Sequence, residues 1–340
     1  MAYVFDRQGS PTGLDATALE LFKVKFATEV ETSFKAQTIM DQFTEKVTIQ
    51  NGKGYEFPIL GDMHAIRHSP GTTLAGQTGT RDKRTIYLDK RLVVPKWIPQ
   101  IDILMDHTNQ RSKYASSMAY ALATQYDIDL MREVIKGARA PATWGDLGTN
   151  VDGVVGGSQI VDDAFIVEAT VGSANGVDQA KELAAGIFAA AAEFDKKNIP
   201  KNGRYLMLRP DEYYVLFQNL DLINQWYGGR GSIAEGNILK IAGFNIIENN
   251  LLPSDNTAGA LDNEGDLDPH GVDASQTVAI AFTNESLGTV ELQGIFFSED
   301  FHTENISYLM YATYIVGHGY LRPEACLELK LDTLTLAQKQ

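Results

Sequence analysis

The residues best suited to metal or nucleophilic chemistry are His64, His68, His107, His270, His302, His318 and the single cysteine, Cys326. His64 and His68 have the spacing of a helical zinc motif, but HAIRH lacks that motif's glutamate and lies in a stretch of extended character. Along a strand four residues span roughly 13 Å, too far for one ion. DNEGDLD, residues 262–268, has the oxygen density of a calcium loop. Its glycine falls outside the EF-hand register and the twelfth-position glutamate is missing, so an exposed acidic loop is the simpler reading. GRGSIA, residues 229–234, matches a loose dinucleotide pattern but follows Trp226-Tyr227 and a helix, not the strand that gives the motif meaning. There is no Walker lysine loop and no G-x-S-x-G elbow. One cysteine permits neither an intrachain disulfide nor a thiolate cluster. The chain is therefore expected to turn over no substrate and to need no cofactor and no metal.

The longest uninterrupted helical pattern lies between these residues. From Asn109 to about Ala138, Tyr114, Met118, Ala121, Leu122, Ile128, Met131 and Ile135 recur three, four or seven apart, with no proline or glycine before Gly137. Thr108 and Asn109 offer N-cap side chains, and Gly137 followed by Pro141 predicts a stop. At 1.5 Å per residue such a helix is roughly 45 Å long, which suggests an elongated subunit.

On its N-terminal side, Leu19, Phe22, Phe26, Val30 and Phe34 form an aromatic stripe that needs a cover, either its own domain or another subunit. Glu45 to Gln50 alternates into Asn51-Gly52, a hairpin signal, and Tyr55, Phe57 and Ile59 alternate out of it. A second extended run is predicted from Thr85 to Trp97, with a glycine-rich tip between. On the other side, helices are predicted over 178–197 and, opened by Pro210-Asp211, over 210–217, and strands over 204–208, 277–283 and 288–294, with a strand, a turn at Ala242-Gly243 and a strand over 238–247 and an aromatic apolar run at 306–317. The order is that of an α/β globular region. Leu251 to Gln276 carries six acidic residues and no lysine or arginine and reads as an exposed acidic loop, with Asp255 to Gln276 expected to be mobile or exposed.

Charge separates these regions. The whole chain has 29 basic and 44 acidic residues, net -15. Residues 51–98 hold eight basic residues (Lys53, Arg67, Arg81, Lys83, Arg84, Lys90, Arg91, Lys96) against four acidic ones (Glu56, Asp62, Asp82, Asp89). That segment is +4, which leaves -19 for the remainder. An acidic body disfavours generic nucleic-acid binding. A basic arm on it can bind an outside polyanion, lie over a neighbouring copy, or stay solvated. The chain starts without a secretory pattern, and its most apolar stretch, Leu183 to Ala192, is too short to cross a bilayer, so a soluble cytoplasmic product is expected.

Several stretches, taken in order, resemble the major capsid protein of short-tailed double-stranded DNA phages of the autographivirus (T-seven-like podovirus) group. They are LFKVKFATEV at 21–30, FPILG at 57–61 with Pro70-Gly71, RSKY at 111–114, Gly243-Phe244 followed by Leu252-Pro253, and GHGYLRPEA at 317–325, the most specific. The resemblance implies an α+β fold of the Hong Kong 97-type phage coat class. Its parts would be an N-terminal arm (1–50), an extended loop (51–98), a peripheral domain with a long spine helix (99–175), an axial domain (176–295), and a return to the peripheral domain with a tail (296–340). It implies self-assembly as hexamers and pentamers into the icosahedral head of a virion, with scaffolding protein and portal as partners, enclosing DNA without sequence-specific binding and without a membrane. Candidate subunit contacts are Phe22 and Phe26 on the arm, Arg81, Lys83 and Arg84 near the tip of the basic hairpin, expected to touch other copies and not their own fold, and Arg322 inside GHGYLRPEA. An α/β enzyme with an unrecognised site, or an acidic binding module, are the alternatives from the residues alone.

Overall fold

The computed structural model describes residues 33–34, 38–71, 73, 76, 79–101, 110–162, 176–216, 240–261 and 265–331. Its axis is the predicted long helix, α1, Gln110–Arg139, 30 residues. The proposed caps Thr108 and Asn109 lie outside the described residues. Met118, Leu122, Met131 and Ile135 are buried as the 3.6-residue period requires, whereas Ala121 is exposed. Gly137 does not end the helix. It lets the last turn press against the rest of the chain, since a Cβ there would lie 2.9 Å from Cys326 Sγ and 3.1 Å from Tyr320 Cβ. The stop comes after Arg139, where Gly157 N–H donates to Ala140 O at 2.9 Å.

Two sheets share this helix. A four-stranded sheet has the order β1 (Thr44–Thr48), β10 (Leu287–His302), β11 (Ser307–Tyr320), β4 (Leu92–Pro99). A six-stranded sheet runs β5 (Ser158–Val161), β12 (Leu327–Lys330), β9 (Thr277–Thr283), β6 (Arg204–Leu208), β8 (Phe244–Glu248), β7 (Lys240–Ile241). On β6 the side chains alternate as a strand demands: Tyr205 and Met207 join the core under α1, while Leu206 and Leu208 face the alanine-rich α2, Gly176–Lys196. Leu183, Ile187 and Phe194 of α2 close that second face with Tyr213 and Leu216 of α3, Pro210–Leu216. Helices on both sides explain why every residue of β9 is buried. The predicted turn at Ala242-Gly243 joins β7 to β8 with both residues at positive φ, 51° and 89°, as a two-residue type I′ hairpin requires.

Three pairings differ from the sequence expectation. β1 does not fold back on the strand after Asn51-Gly52. It runs parallel to β10, Thr44 opposite Leu287, and Asn51-Gly52 instead carries the chain to a separate ribbon. That ribbon pairs β2 (Gly54–Leu60) with β3 (Arg81–Tyr87). The run predicted over 85–97 is broken at residues 88–91, so that β3 and β4 serve different sheets. The boundary expected at 295/296 falls inside the continuous strand β10, and β12 returns to the middle of the six-stranded sheet between β5 and β9. A turn signal fixes where the chain bends; burial of the flanking faces decides which strand it meets.

Candidate assembly surfaces

The β2–β3 ribbon is the basic hairpin, and its root is a socket cut by glycines. Ile86 is buried against Val290 and Leu321. It reaches that depth because a Cβ on Gly319 would lie 2.9 Å from Ile86 Cγ1, and one on Gly288 would lie 3.0 Å from Ile86 Cδ1. At Gly317 a Cβ would stand 2.0 Å from the Tyr87 carbonyl oxygen. GHGYL thus reads as a strand with a notch on one face. His318, between the glycines, turns to the other side, where Thr289 Oγ1 is 3.1 Å from Nδ1 and the Tyr126 ring meets it edge-on. Burial pushes the His318 pKa well below its ordinary value, which keeps the ring neutral.

Above the socket the hairpin is braced. Asp82 is buried and accepts from the backbone N–H groups of Lys83 (2.7 Å), Leu147 (3.1 Å) and Thr149 (3.2 Å) and from Thr149 Oγ1 (2.9 Å). Burial alone would raise its pKa; these hydrogen bonds hold it below the usual carboxylate value. Asp146 N–H donates to Lys83 O, and Thr85 N–H donates to Asp146 Oδ2, so residues 145–149 seal the outer edge of β3. Farther out, Gly61 N–H donates to Thr80 O and Asp62 N–H to Asp152 O. Beyond about residue 62, Met63 and Ile66 are exposed.

This placement changes the expectation for the three basic candidates, which sit along β3 and not at a tip. Lys83 Nζ pairs with Glu56 at 2.7 Å, and the Arg84 guanidinium lies 4.4 Å over the Tyr320 ring and 3.6 Å from Asp146. Both make contacts within the fold, contrary to the expectation of contacts only between copies. Arg81 is exposed. Arg322 is 58% exposed in its side chain and reaches Glu285 at 2.5 Å. Phe22 and Phe26 lie outside the described residues. Phe34, the last member of their stripe, is buried edge-on to Tyr126 and Tyr314, so at that point the stripe packs on its own core. The chain after it is held by Asp127, whose two oxygens accept from Ile39 N–H (2.9 Å) and Met40 N–H (3.1 Å). Burial lifts the Asp127 pKa to about 6 against the pull of those bonds.

The acidic stretch 251–276 departs furthest from its reading. Its base is stitched to α1. His270, 5% exposed, places Nδ1 2.9 Å from Glu133 and Nε2 2.8 Å from Asp89, which lies in the link between β3 and β4. Burial opposes charge on this ring, but the two carboxylate hydrogen bonds outweigh it and raise its pKa to about 10. It is an imidazolium that ties three segments together. Arg132 meets Asp268 at 3.3 Å and Asp255 at 3.6 Å, Lys136 holds Glu133 at 2.9 Å, and Lys90 holds Asp266 at 2.7 Å. Leu252, Val272 and Ala274 enter the main core. Among the described residues of the stretch, 254–256, 258, 259, 261, 265–267, 269 and 275 are exposed, as expected of it. The sequence contained a signal for this clamp: one histidine in an otherwise base-free acidic loop, and Arg132, Glu133 and Lys136 on the half of α1 that is buried all round.

These groups spend their charge on one another, an arrangement that holds segments together and does not poise a nucleophile. Cys326 is buried and its thiol is pushed up to about 12. Among the described residues no group of His, Cys, Asp and Glu is placed to hold a metal ion, and no helix is long and apolar enough to cross a membrane.

A family profile described as "Gp10A-like: Major capsid protein" matches residues 56–330, about four fifths of the chain. The chain is 24% identical to the major capsid protein of Escherichia phage T7 over 334 residues, 94% of each chain. It superposes on the capsid structure of cyanophage P-SCSP1u with a TM-score of 0.74 at 30% identity, covering 87% of this chain and 88% of that one. The mature capsid subunit of bacteriophage PhiM1 shares the fold at 16% identity, TM-score 0.69, with 87% of each chain covered. The fold is the Hong Kong 97-type coat fold, and the enzyme and binding-module alternatives give way to a structural role in a phage virion. A rooted projecting hairpin, a helix longer than one core needs, and a profile match from the hairpin to the last strand lead to one conclusion: this chain belongs to the Gp10A-like family of major capsid proteins, which self-associate into a capsid shell.

Proposed function

We propose that copies of this chain associate as hexamers and pentamers into an icosahedral head that encloses double-stranded DNA without reading its sequence. Assembly takes place in the host cytoplasm, guided by scaffolding protein and with a portal at one vertex, and it requires no turnover and no cofactor. Residues 1–50 act as an arm, 51–98 as the extended loop, and the two sheets around α1 as peripheral and axial parts of the subunit. Arg81 and Arg322, both exposed, contact neighbouring copies, as do Phe22 and Phe26; Lys83 and Arg84 chiefly fix the angle at which the hairpin leaves its subunit. The observation that carries this reading is a two-stranded ribbon rooted in the body by Ile86 and Asp82, within a 51–98 segment of net +4 on a remainder of -19. A net-positive segment of this kind is complementary in charge to the acidic remainder of a second copy.

Reversal of two exposed arginines of the β2–β3 excursion, Arg67→Glu with Arg81→Glu, tests it. The subunit should fold as before, because exposed charges seldom govern stability. Shells seen by negative-stain microscopy should become rare, since like charges brought together at an interface can cost several kcal/mol. Normal shells from the double variant would remove the hairpin from the assembly contacts.

A further inference from the structure

Just before β1 a short helical turn, Met40–Phe43, packs against α1 and sends the Met40 and Phe43 side chains into the main core. Its entry is gripped by one side chain. Asp127 Oδ2 accepts from Ile39 N–H at 2.9 Å and Oδ1 from Met40 N–H at 3.1 Å. Both donors are neutral. Asp127 is completely buried, and among the described residues no lysine, arginine or histidine pairs with it. Its charged neighbour is Asp41, which repels it. A buried carboxylate without a cation is the costly form of the group, because two backbone hydrogen bonds return only part of what water gave it.

The other titratable groups around the turn are already committed. Lys46 of β1 spends its charge on Asp41 and lies 5.8 Å over the Tyr126 ring. Tyr126 donates to Asp41 at 2.9 Å, and Tyr314 of β11 donates to Glu291 of β10 at 3.1 Å. Burial raises both phenols further above neutral pH and keeps His318 of β11 uncharged. Farther along α1, Lys96 of β4 lies over Tyr114 and Glu328 of β12 is held by Arg139, while β9 carries no titratable side chain. Asp129 points to another flank of α1, toward Gln125 and Arg132. Burial lifts its pKa to about 6 as well, so it must be controlled for.

We propose that Asp127 is a proton-operated latch at the joint where residues 1–50 meet the body: proton uptake closes residues 39–43 onto α1, and proton loss loosens them. The device belongs to the single subunit and does not depend on shell formation. When the turn opens, water reaches the carboxyl and its pKa returns to the ordinary 3.8; in the closed turn burial raises it to about 6. The closed form therefore binds the proton more tightly, so closure strengthens as pH falls from about 6 toward 3.8 and is weakest above 6. A carboxylate whose pKa is lowered, such as Asp82 at the root of the ribbon, has the opposite sense.

Amide exchange of the full-length subunit over a pH series, corrected for the intrinsic pH dependence of exchange, reads the latch directly. Protection of the Ile39 and Met40 amides should be about tenfold greater near pH 5 than near pH 7.5, the ratio that a shift from 3.8 to about 6 gives over that interval. The Leu147 and Thr149 amides, which donate to Asp82, should not change over the same range. Asp127→Asn is neutral at every pH and should abolish the difference, whereas Asp129→Asn should keep it. If Asp127→Asn does not fold, Lys46→Gln decides: it leaves Asp41 uncompensated beside Asp127, so the midpoint should move to higher pH. Equal protection at both ends of the series, greater protection at the higher pH, a difference that survives in Asp127→Asn or disappears in Asp129→Asn, or a midpoint unmoved in Lys46→Gln overturns the proposal.

Discussion

The basic hairpin and the acidic stretch are the two long excursions of this subunit, and they are held in opposite ways. The hairpin has regular strands, yet its attachment is steric: Ile86 in a glycine notch and the Tyr87 carbonyl against Gly317. Among its described residues the acidic stretch has two isolated bridges, Asn256 with Asp273 and Leu261 with Leu267, yet its attachment is ionic and buried, through His270, Arg132 and Lys136. Regular secondary structure is thus a poor guide to which excursion is fixed. What fixes each one is the number of buried partners at its base. The two attachments also meet: His270 of the acidic stretch grips Asp89 in the segment that leaves the hairpin, so loss of one bears on the other.

The largest effect should come from breaking the ionic attachment. His270→Ala leaves Glu133 buried beside Lys136 alone and should cost about 3–5 kcal/mol in a urea melt, the range for removing one partner of a buried ion pair. Its pH dependence supplies a sharper test. The folded pKa of His270, about 10, lies above the ordinary 6.5. The clamp's contribution is therefore fully present below about 6.5 and is lost as pH rises toward 10. Wild-type stability should fall across that window, and His270→Ala should flatten that fall. An equal fall in both would show that the ring carries no charge in the folded state.

Next in size is the steric attachment. Gly317→Ala forces a methyl onto the Tyr87 carbonyl and should cost about 1–3 kcal/mol, as overpacking does. Amide exchange should quicken over residues 51–91 while α2 and the six-stranded sheet keep their protection. If exchange quickens equally everywhere, the socket is part of the global core and the comparison fails.

Proteolysis of the isolated subunit distinguishes base from tip at smaller energetic stake. Early cuts are expected within 254–267, and none within 268–274, where His270, Val272 and Ala274 are buried. Early cleavage at Val272 would mean that the base is loose. Smallest of all is Lys83→Glu, which removes an exposed pair with Glu56. Its melting temperature should match wild type within measurement error, because exposed pairs contribute little.

The sequence determined by itself those features whose signal repeats within a few residues. The 3.6-residue period of α1, the proline-led start of α3, the short apolar run of β6 and the Ala242-Gly243 turn were all legible, as was the charge contrast between residues 51–98 and the remainder. So was the family, from the order of several short stretches ending in GHGYLRPEA. The tertiary structure alone decided the rest. Thr44 meets Leu287, Asp89 and Glu133 meet His270, and Gly137 meets Cys326, each across well over a hundred residues except for the step from Asp89 to Glu133 along the chain. Local propensity can say that a segment is extended, acidic or permissive. Which distant surface covers it depends on closing a long loop at a modest entropic cost and then burying the best-fitting faces and charges together, a choice made only once the whole chain is in place.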